Sequence, residues 1–314
     1  MSSQNNVGRL LVESGAFTDL DDPVILTSGE LGIYCINTEK FLGDGGRWKE
    51  FGDDPREMIA HSINQYFLNG RFAEVVRSLS AIIDEVLPAD KSLAISGGQR
   101  RDWIFSGATA SHLGVSHISL YKNSNKVELM KFGRGSQRIE CGLPLAEEVK
   151  DISQYRVYHI ADLLTEGSSC YRIEDGDAKG WIPMLRERGA TVEDLLAVVS
   201  RRQGAEEMLA NQGVRARSLV TIDEEFIRKH SKFPERALEY MKDPGAWSAT
   251  YLEQNGALDF VDAFNPDGTQ IDRAKRFLKR YGTVLEQAGR MTELENDVMA
   301  RFGYSIKHLR EGSS

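Results

Sequence analysis

Hydrophobic residues in the middle of the chain fall into short continuous runs, and helix-like stretches separate these runs. The runs are LAIS (93–96), SHISLY (116–121), VYHI (157–160), DLLAVV (194–199) and SLVTI (218–222). Short apolar runs of this kind are typical of strands buried on both faces, and their alternation with helices predicts parallel pairing. We therefore predict an α/β fold with an open, doubly wound and mainly parallel sheet flanked by helices.

Helical periodicity dominates the remaining regions. Residues 55–87 predict two helices, because Asn69-Gly70 interrupts an otherwise continuous helical pattern. The strand pattern ends at about residue 232, and IDRAKRFLKRYGTVLEQA (271–288) carries apolar residues at helical spacing. We therefore predict an α/β domain over residues 1–232 and an α-helical C-terminal extension over residues 233–314. The apolar stripes of the extension must pack on the main domain, on each other or on a second subunit.

The composition excludes several classes of protein. The chain has 314 residues, 41% of them hydrophobic, and a net charge of −8. A general nucleic-acid binder needs a basic surface, so we expect no nucleic-acid partner. No window approaches about 18 consecutive apolar residues, so we expect no membrane span. The first residues lack a basic start followed by an apolar run, so we also expect no signal peptide.

Cysteine and histidine usage indicates a reduced compartment and no metal site. The three cysteines, Cys35, Cys141 and Cys170, are widely spaced and form no CxxC motif. This usage favours a cytoplasmic location over an oxidising one. The six histidines are scattered along the chain, so neither residue type predicts a metal-binding cluster. We interpret Cys141 and Cys170 as small packing residues rather than nucleophiles.

The stretch RVYHIADLLTEGSSCYR (156–172) carries the candidate chemistry. A buried strand leads to Asp162, and a loop rich in small and hydroxylated residues follows from Thr165 to Ser169. In an open α/β sheet, ligands bind beyond the carboxyl ends of the strands. A loop of small residues exposes backbone N–H groups there, and with a helix N-terminus behind it such a loop binds phosphate. Asp162 and the loop therefore predict a sugar-phosphate site, with an ordinary polar turn as the alternative.

This stretch resembles the motif with which type I phosphoribosyltransferases bind 5-phosphoribosyl-1-diphosphate (PRPP). ADLLTEGSS (161–169) matches that motif at Asp162, Thr165, Gly167 and Ser169. Further segments occur in the order in which orotate phosphoribosyltransferases carry them, and they narrow the resemblance to that family. These segments are ILTSGELGIYCIN (25–37), GGQRRDW (97–103), KFGRGSQRIECG (131–142) and VVSRRQGAEEMLANQGVRARSLVTID (198–223).

The resemblance implies residues for each part of the reaction. The implied catalytic residues are Lys131, Arg134 and Asp162. The implied PRPP-binding residues are Arg100, Arg101, Asp162, Thr165, Glu166, Gly167, Ser168 and Ser169. The implied base-binding residues are Ser28, Cys35, Ile36 and Arg202. The resemblance also implies orotate as the second substrate, a homodimer, and Mg²⁺ bound together with PRPP rather than in a dedicated protein site.

The chain departs from the family pattern at several positions. Ala161 replaces the first of two consecutive acids, so one expected acceptor for a ribose hydroxyl is missing. Glu166 places a carboxylate in the phosphate loop, and Phe132 stands where the mobile loop of the family has a histidine. These departures leave three functions open, which are orotate phosphoribosyl transfer, transfer to a different base, and non-catalytic binding of PRPP or a nucleotide by a regulator.

The basic candidates also have simpler interpretations. Arg100 and Arg101 would also suit solvated positions at a helix start. Lys131 and Arg134 would also suit solvated positions in an exposed loop. Arg202 and Glu206 are spaced i,i+4, so they would form an ion pair on a helix.

Overall fold

The computed structural model describes residues 3–85, 92–122, 124–133, 144–268, 270–307 and 309. The chain divides into two compact units, and each unit is built from two separate segments. The first unit contains Met1–Phe17 and Ile36–Phe226, and the second contains Thr18–Cys35 and Ile227–Ser314. The second unit therefore takes in an N-terminal segment as well as the C-terminal region.

Strands and helices alternate through the centre of the chain, and helices dominate its C-terminal part. The strands are β1 Phe17–Ile25, β2 Leu31–Ile36, β3 Ser92–Gly98, β4 Ser116–Leu120, β5 Val127–Met130, β6 Ala146–Glu148, β7 Tyr155–Leu164, β8 Arg172–Glu174, β9 Asp177–Lys179, β10 Thr191–Ser200 and β11 Arg215–Thr221. The α-helices are α1 Ser3–Glu13, α2 Pro55–Leu68, α3 Gly70–Asp84, α4 Arg101–Leu113, α5 Trp181–Arg186, α6 Ala205–Ala210, α7 Glu224–His230, α8 Pro234–Lys242, α9 Pro244–Asn255, α10 Ile271–Gln287 and α11 Met291–Phe302. Short 3-10 helices lie at Thr38–Leu42, Arg47–Phe51 and Leu258–Phe264.

The central sheet of the first unit has the strand order β11-β10-β7-β3-β4-β5-β6. The strands from β11 to β4 pair in parallel, and β5 and β6 extend one edge antiparallel. The apolar runs of the sequence form β3, β4, β7, β10 and β11, so the prediction of an open, mainly parallel sheet is confirmed. The chain leaves β3 toward β4 and later returns to β7 on the other side of β3. The strand order therefore reverses between β3 and β7, where open α/β sheets bind ligands.

Asn69 separates α2 from α3, as the sequence predicts. Its carboxamide oxygen accepts hydrogen bonds from the backbone N–H groups of Arg71 and Phe72, at 2.9 and 3.3 Å. Its amide nitrogen donates to the carbonyl oxygens of Phe41 and Leu42, at 3.0 and 2.7 Å. One side chain thus caps the start of α3 and ties it to the first 3-10 helix.

The second unit packs a β-hairpin and several helices around its own apolar core. β1 and β2 form the hairpin, and α8 to α11 follow in the C-terminal region. The apolar stripe that the sequence predicts on α10 is buried. Its buried members include Ala274, Phe277, Leu278, Tyr281 and Leu285. The hairpin residues Ile25 and Leu31 belong to the same core cluster, so these stripes pack within their own unit.

We expect Gly29→Ala to destabilise the second unit by about 2–4 kcal/mol. Gly29 has φ +85°, and a methyl group on its Cα would lie 2.6 Å from the backbone carbon of Arg276. Side-chain rotation cannot relieve this contact, because it is made with the α10 backbone. Urea unfolding measures the loss. The matched control is Gly289→Ala, since Gly289 has φ +73° and no described atom lies within 4 Å of the added methyl group. A loss of unfolding free energy no larger than that of Gly289→Ala would contradict the close packing of Gly29 against α10.

Two histidines are buried in the first unit with serine partners. His117 contacts the Ser106 hydroxyl through Nε2 at 2.8 Å, and His159 contacts the Ser96 hydroxyl through Nδ1 at 2.9 Å. Burial lowers the pKa of both imidazoles to about 3, and the neighbouring His159 adds to the shift of His117. Both side chains are therefore neutral in the folded chain at neutral pH.

The unfolding free energy is expected to decrease as the pH falls from about 6.5 to about 3. An unfolded histidine binds a proton near pH 6.5, whereas both folded imidazoles have a pKa of about 3. The unfolded chain holds more protons in this range, so acid favours unfolding, and the contribution is fully present above about pH 6.5. We expect His159→Leu to flatten this pH dependence in urea titrations. An unchanged slope would show that His159 titrates normally in the folded chain.

A buried ion-pair group lies at the amino ends of the parallel strands. Asp194 on β10 lies 2.6 Å from Arg215 on β11 and 3.1 Å from Arg156 on β7. Its side chain is only 1% exposed, so the two arginines compensate a charge that water does not reach. This group joins three neighbouring strands at the end of the sheet opposite to the carboxyl ends.

Candidate functional site

Asp162 lies at the edge of the sheet where the strand order reverses. It is near the carboxyl end of β7, and it is buried. Its Oδ2 accepts a hydrogen bond from the Thr38 hydroxyl at 2.7 Å and lies 3.2 Å from Nε of Arg101. Thr38 begins the first 3-10 helix, and Arg101 begins α4 shortly after β3. The structure thus brings the predicted acid together with one of the two predicted PRPP-binding arginines.

Asp102 belongs to the same group, although none of the sequence motifs singles it out. Its Oδ1 accepts a hydrogen bond from the backbone N–H of Asp162 at 2.8 Å, and its Oδ2 accepts one from the N–H of Gly98 at 3.1 Å. Burial of the carboxyl group, together with the charge of Asp162, raises the pKa of Asp102 well above its ordinary value. The signal that could have found it is an acid directly after the arginine pair at a predicted helix start.

The two arginines after β3 have different partners. Arg101 pairs with Asp162 and also lies 3.4 Å from Oε2 of Glu39, and the charge of Asp162 raises its pKa. Arg100 instead donates to the carbonyl oxygen of Gly52 at 3.3 Å. The structure therefore places Arg101 in the Asp162 group, while Arg100 is held by the chain that follows the second 3-10 helix.

The loop after β7 offers a row of backbone N–H groups. Within the described part of the chain, the N–H groups of residues 165–169 have no protein acceptor. The N–H groups of Cys170 and Tyr171 close the turn by donating to the Gly167 carbonyl oxygen, at 2.8 and 3.0 Å. Gly167 has φ +76°, and a methyl group there would lie 2.6 Å from Cε of Met208. Unpaired N–H groups in a tight turn form a concavity that suits an anion.

The side chains of this loop are accessible to a ligand. Glu166, Ser168 and Ser169 are exposed, and Thr165 is half-buried. The three hydroxyl groups add donors beside the backbone N–H groups. Glu166 is exposed rather than buried in the turn, so water screens its charge from a phosphate held by the backbone.

A β-hairpin follows the loop and separates it from the next helix, α5. β8 and β9 pair antiparallel, and Asp175 and Gly176 form the turn with φ 55° and 84°. Asp-Gly with two positive φ angles suits a tight hairpin turn. The segment RIEDGDAKG (172–180) is short and polar, and its residues are mostly exposed, so hydrophobic periodicity does not mark it as strand.

The helix α5 supports the loop from the other side of this hairpin. α5 begins at Trp181, and its first N–H groups donate back to the loop. Trp181 bonds to the carbonyl oxygen of Ser169 and Ile182 to that of Cys170, both at 3.0 Å. The helix N-terminus therefore holds the carbonyl oxygens of the loop, and the loop N–H groups stay open.

Ala161 lies on the opposite face of β7 from Asp162, because successive side chains of a strand alternate. It is 4% exposed and belongs to an apolar cluster with Cys170, Trp181 and Ala197. A carboxylate at this position would face that cluster rather than a ligand. The missing acid of the family motif thus corresponds to a core position in this chain.

Arg202 is exposed just beyond the carboxyl end of β10, with φ +52°, which is uncommon for an arginine. Its backbone N–H donates to the Ser200 hydroxyl at 3.1 Å. That hydroxyl donates to Glu206, so Glu206 is engaged by Ser200 rather than by the arginine. Among the described residues, the Arg202 guanidinium has no ion-pair partner. It is therefore available to a ligand at the carboxyl edge of the sheet.

The other predicted residues lie in different parts of the chain. Ser28 and Cys35 belong to the second unit, and the buried Ile36 to the first. Lys131 is exposed directly after β5. Arg134 lies outside the described residues, as does Cys141.

The described residues contain no group of three or more His, Cys, Asp or Glu side chains arranged to hold a metal ion. None of the described helices is both long enough and apolar enough to cross a membrane.

Sequence comparison supports the resemblance inferred from the motifs. An orotate phosphoribosyltransferase of Halobacterium salinarum (strain ATCC 700922 / JCM 11081 / NRC-1) is 33% identical over 116 residues. This chain resembles an orotate phosphoribosyltransferase. The match covers 37% of this chain, and the chain spans about half, 54%, of the length of that relative. No family model matches the chain.

Solved structures that match this chain include orotate phosphoribosyltransferases. The enzyme from Aeropyrum pernix is 20% identical, with a TM-score of 0.44, over 71% of this chain and 97% of its own. The Mycobacterium tuberculosis H37Rv enzyme in complex with PRPP is 17% identical, with a TM-score of 0.40, over 70% and 97%. UMP synthase of Leishmania donovani is 15% identical, with a TM-score of 0.47, over 80% and 43%. At these TM-scores the similarity transfers neither a residue role nor a substrate.

Proposed function

We propose that this chain transfers the 5-phosphoribosyl group of PRPP to orotate, which gives orotidine 5′-phosphate and pyrophosphate. The proposal rests on one observation. Asp162 and the open N–H groups of residues 165–169 lie together at the carboxyl end of β7. These groups meet the needs of a sugar phosphate, since the loop binds the phosphate and the carboxylate accepts hydrogen bonds from ribose hydroxyls. The sequence similarity to an orotate phosphoribosyltransferase supports the choice of reaction.

In this proposal the protein positions the ribose and stabilises the leaving group. Breaking the bond between C1 and the pyrophosphate leaves positive charge on the ribose ring and negative charge on the departing oxygens. The Asp162 carboxylate faces the ribose, and cationic side chains beside the pyrophosphate stabilise its charge. Arg101 is the nearest described candidate, because it already lies 3.2 Å from Asp162. Lys131 and Arg134 are assigned the same role by the resemblance.

In this proposal Mg²⁺ binds together with PRPP. The carboxyl groups of Asp162 and Asp102 both accept hydrogen bonds from protein groups. Hard oxygen ligands for Mg²⁺ are then supplied chiefly by the pyrophosphate and ribose of PRPP, and the bound cation would neutralise charge on the leaving group.

We assign the binding of the acceptor base to the carboxyl end of β10, the strand next to β7. Orotate carries a carboxylate, and an arginine guanidinium binds such a group in two places at once. Arg202 follows β10, which pairs directly with β7, and its guanidinium has no ion-pair partner among the described residues. The base-binding roles of Ser28, Cys35 and Ile36 and the homodimer rest on the resemblance, and a cytoplasmic location rests on the cysteine usage.

A second candidate function is PRPP binding without transfer, and one contact favours it. Arg101 and Asp162, which are predicted to bind different parts of PRPP, are paired with each other. Glu39 also lies 3.4 Å from the same arginine. PRPP must replace the Arg101–Asp162 pair to reach Asp162, so a protein that binds PRPP without turning it over would also show this arrangement.

The experiment that tests the proposal is orotate consumption, followed by absorbance, with Mg²⁺ and PRPP in excess. Consumption that requires PRPP is the expected result. A parallel panel of adenine, guanine, hypoxanthine and uracil tests transfer to another base through pyrophosphate release. PRPP binding in calorimetry, with no pyrophosphate released from PRPP in the presence of any base, would support the non-catalytic binder and contradict the enzyme.

A further inference from the structure

The carboxyl group of Asp102 bridges the two strands that border the candidate site. One oxygen accepts the backbone N–H of Gly98, the last residue of β3, and the other accepts the N–H of Asp162 on β7. Two backbone groups from different strands thus converge on one side chain. Because both contacts are with backbone, Asp102 sets the separation of the strand ends and not only the rotamer of a neighbour.

The strand ends need such a bridge because their pairing stops early. The ladder between β3 and β7 ends at the pair Ser96 and His159, well before Asp162. Beyond this pair, the Asp162 N–H has no acceptor on β3, and a buried N–H without an acceptor is costly. Asp102 reaches into the gap from the start of α4 and provides the acceptor.

Asp102 also compensates for the missing acid at position 161. The Ala161 side chain faces the apolar cluster on the other side of β7, so this position does not serve the ligand. Asp102 brings a second carboxyl group next to Asp162 from a different element of the fold. The two consecutive acids of the family motif are thus replaced by one acid at the ligand and one acid behind it.

We infer that Asp102 is a positioning residue, which accepts the N–H groups of Gly98 and Asp162 and thereby holds the Asp162 carboxylate where the ribose of PRPP binds. The inference rests on the proposed function, since it takes PRPP as the ligand. It assigns Asp102 no contact with substrate, because both of its oxygens already accept backbone hydrogen bonds.

Asp102→Asn tests this role with little change in volume. One acceptor oxygen becomes an amide donor that faces a backbone N–H, so one of the two strand contacts must break. We expect the KM for PRPP to rise about tenfold and the KM for orotate to change less than about twofold, because a misplacement near 1 Å affects only the group that Asp162 binds. Calorimetry should show the same loss of PRPP affinity, and hydrogen exchange should quicken at the Gly98 and Asp162 amides.

Asp194→Asn is the matched control. It changes another buried aspartate of the same sheet at the opposite strand end, where it pairs with arginines. We expect it to lower stability while the ratio of the two KM values stays as in the wild type. If Asp102→Asn does not fold, Asp102→Glu takes its place, since it keeps both oxygens and moves them by one methylene group. A severalfold rise in the KM for PRPP alone is the expected result.

The possible outcomes test the role of Asp102 and the proposed reaction separately. A folded variant with wild-type PRPP affinity and an unchanged KM for PRPP would overturn the role of Asp102 and leave the reaction intact. Wild-type protein that binds PRPP but consumes no orotate would overturn the orotate reaction, and PRPP affinity of the variants would still decide the role of Asp102. Wild-type protein that binds no PRPP would overturn both.

Discussion

Asp162→Asn is expected to lower kcat/KM for PRPP about 100-fold or more, because two hydrogen bonds from ribose hydroxyls to a charged acceptor would be weakened together. The fold should survive. The asparagine oxygen can still accept the Thr38 hydroxyl, and Arg101 keeps Glu39 as a partner at 3.4 Å. Steady-state kinetics with varied PRPP, together with a thermal melt, measure the two quantities separately.

Asp177→Asn is the control for this result. Asp177 lies in the exposed hairpin, its side chain is 74% exposed, and its partner Lys179 is also near the surface. We expect unchanged kinetics from this variant. If Asp162→Asn retained wild-type kcat/KM for PRPP, the ribose would have to bind elsewhere, and the proposed orientation of PRPP would be wrong.

Ala161→Asp is expected to destabilise the first unit by about 3–5 kcal/mol rather than to improve PRPP binding, because it buries an unpaired charge. The family motif alone would suggest the opposite, since this substitution restores its first acid. The side chain at 161 is 4% exposed and faces a cluster that includes Cys170 and Trp181. Urea unfolding measures the loss, and PRPP affinity should not increase.

The pH dependence of this variant gives a second test. A buried carboxyl group has a raised pKa, so protonation at lower pH removes the charge and should narrow the stability gap between variant and wild type. Ala161→Asn controls for size and polarity without charge, and its deficit should not depend on pH. A variant that is as stable as the wild type and binds PRPP more tightly would show that position 161 reaches the ligand.

The parallel strands could be predicted because burial on both faces requires a nearly continuous run of apolar residues. VYHI (157–160) and DLLAVV (194–199) are largely continuous apolar runs, and both lie in strands whose central residues are buried. The antiparallel strands β6, β8 and β9 are three residues each and carry mostly polar side chains. Backbone pairing and an Asp-Gly turn define them, and hydrophobic periodicity does not record either feature.

The candidate site could be predicted in part for a similar reason. Asp162 and its loop are contiguous, so the sequence shows them together. Asp102 and Thr38 join Asp162 from distant parts of the chain, and only the strand order brings them there. The face on which a strand residue lies also depends on register, so a motif comparison interprets Ala161 as a lost ligand contact while the structure shows a core position.

The hairpin β8–β9 leaves and rejoins the body of the protein at one place. The hydrogen bonds from Trp181 to Ser169 and from Ile182 to Cys170 join the two ends of the excursion, each at 3.0 Å. These hydrogen bonds close the base of the excursion, so an insertion at its tip should leave the loop over residues 165–169 in place. The same property makes the Asp175-Gly176 tip a suitable place to graft a fluorescent label or a foreign peptide close to the proposed phosphate loop.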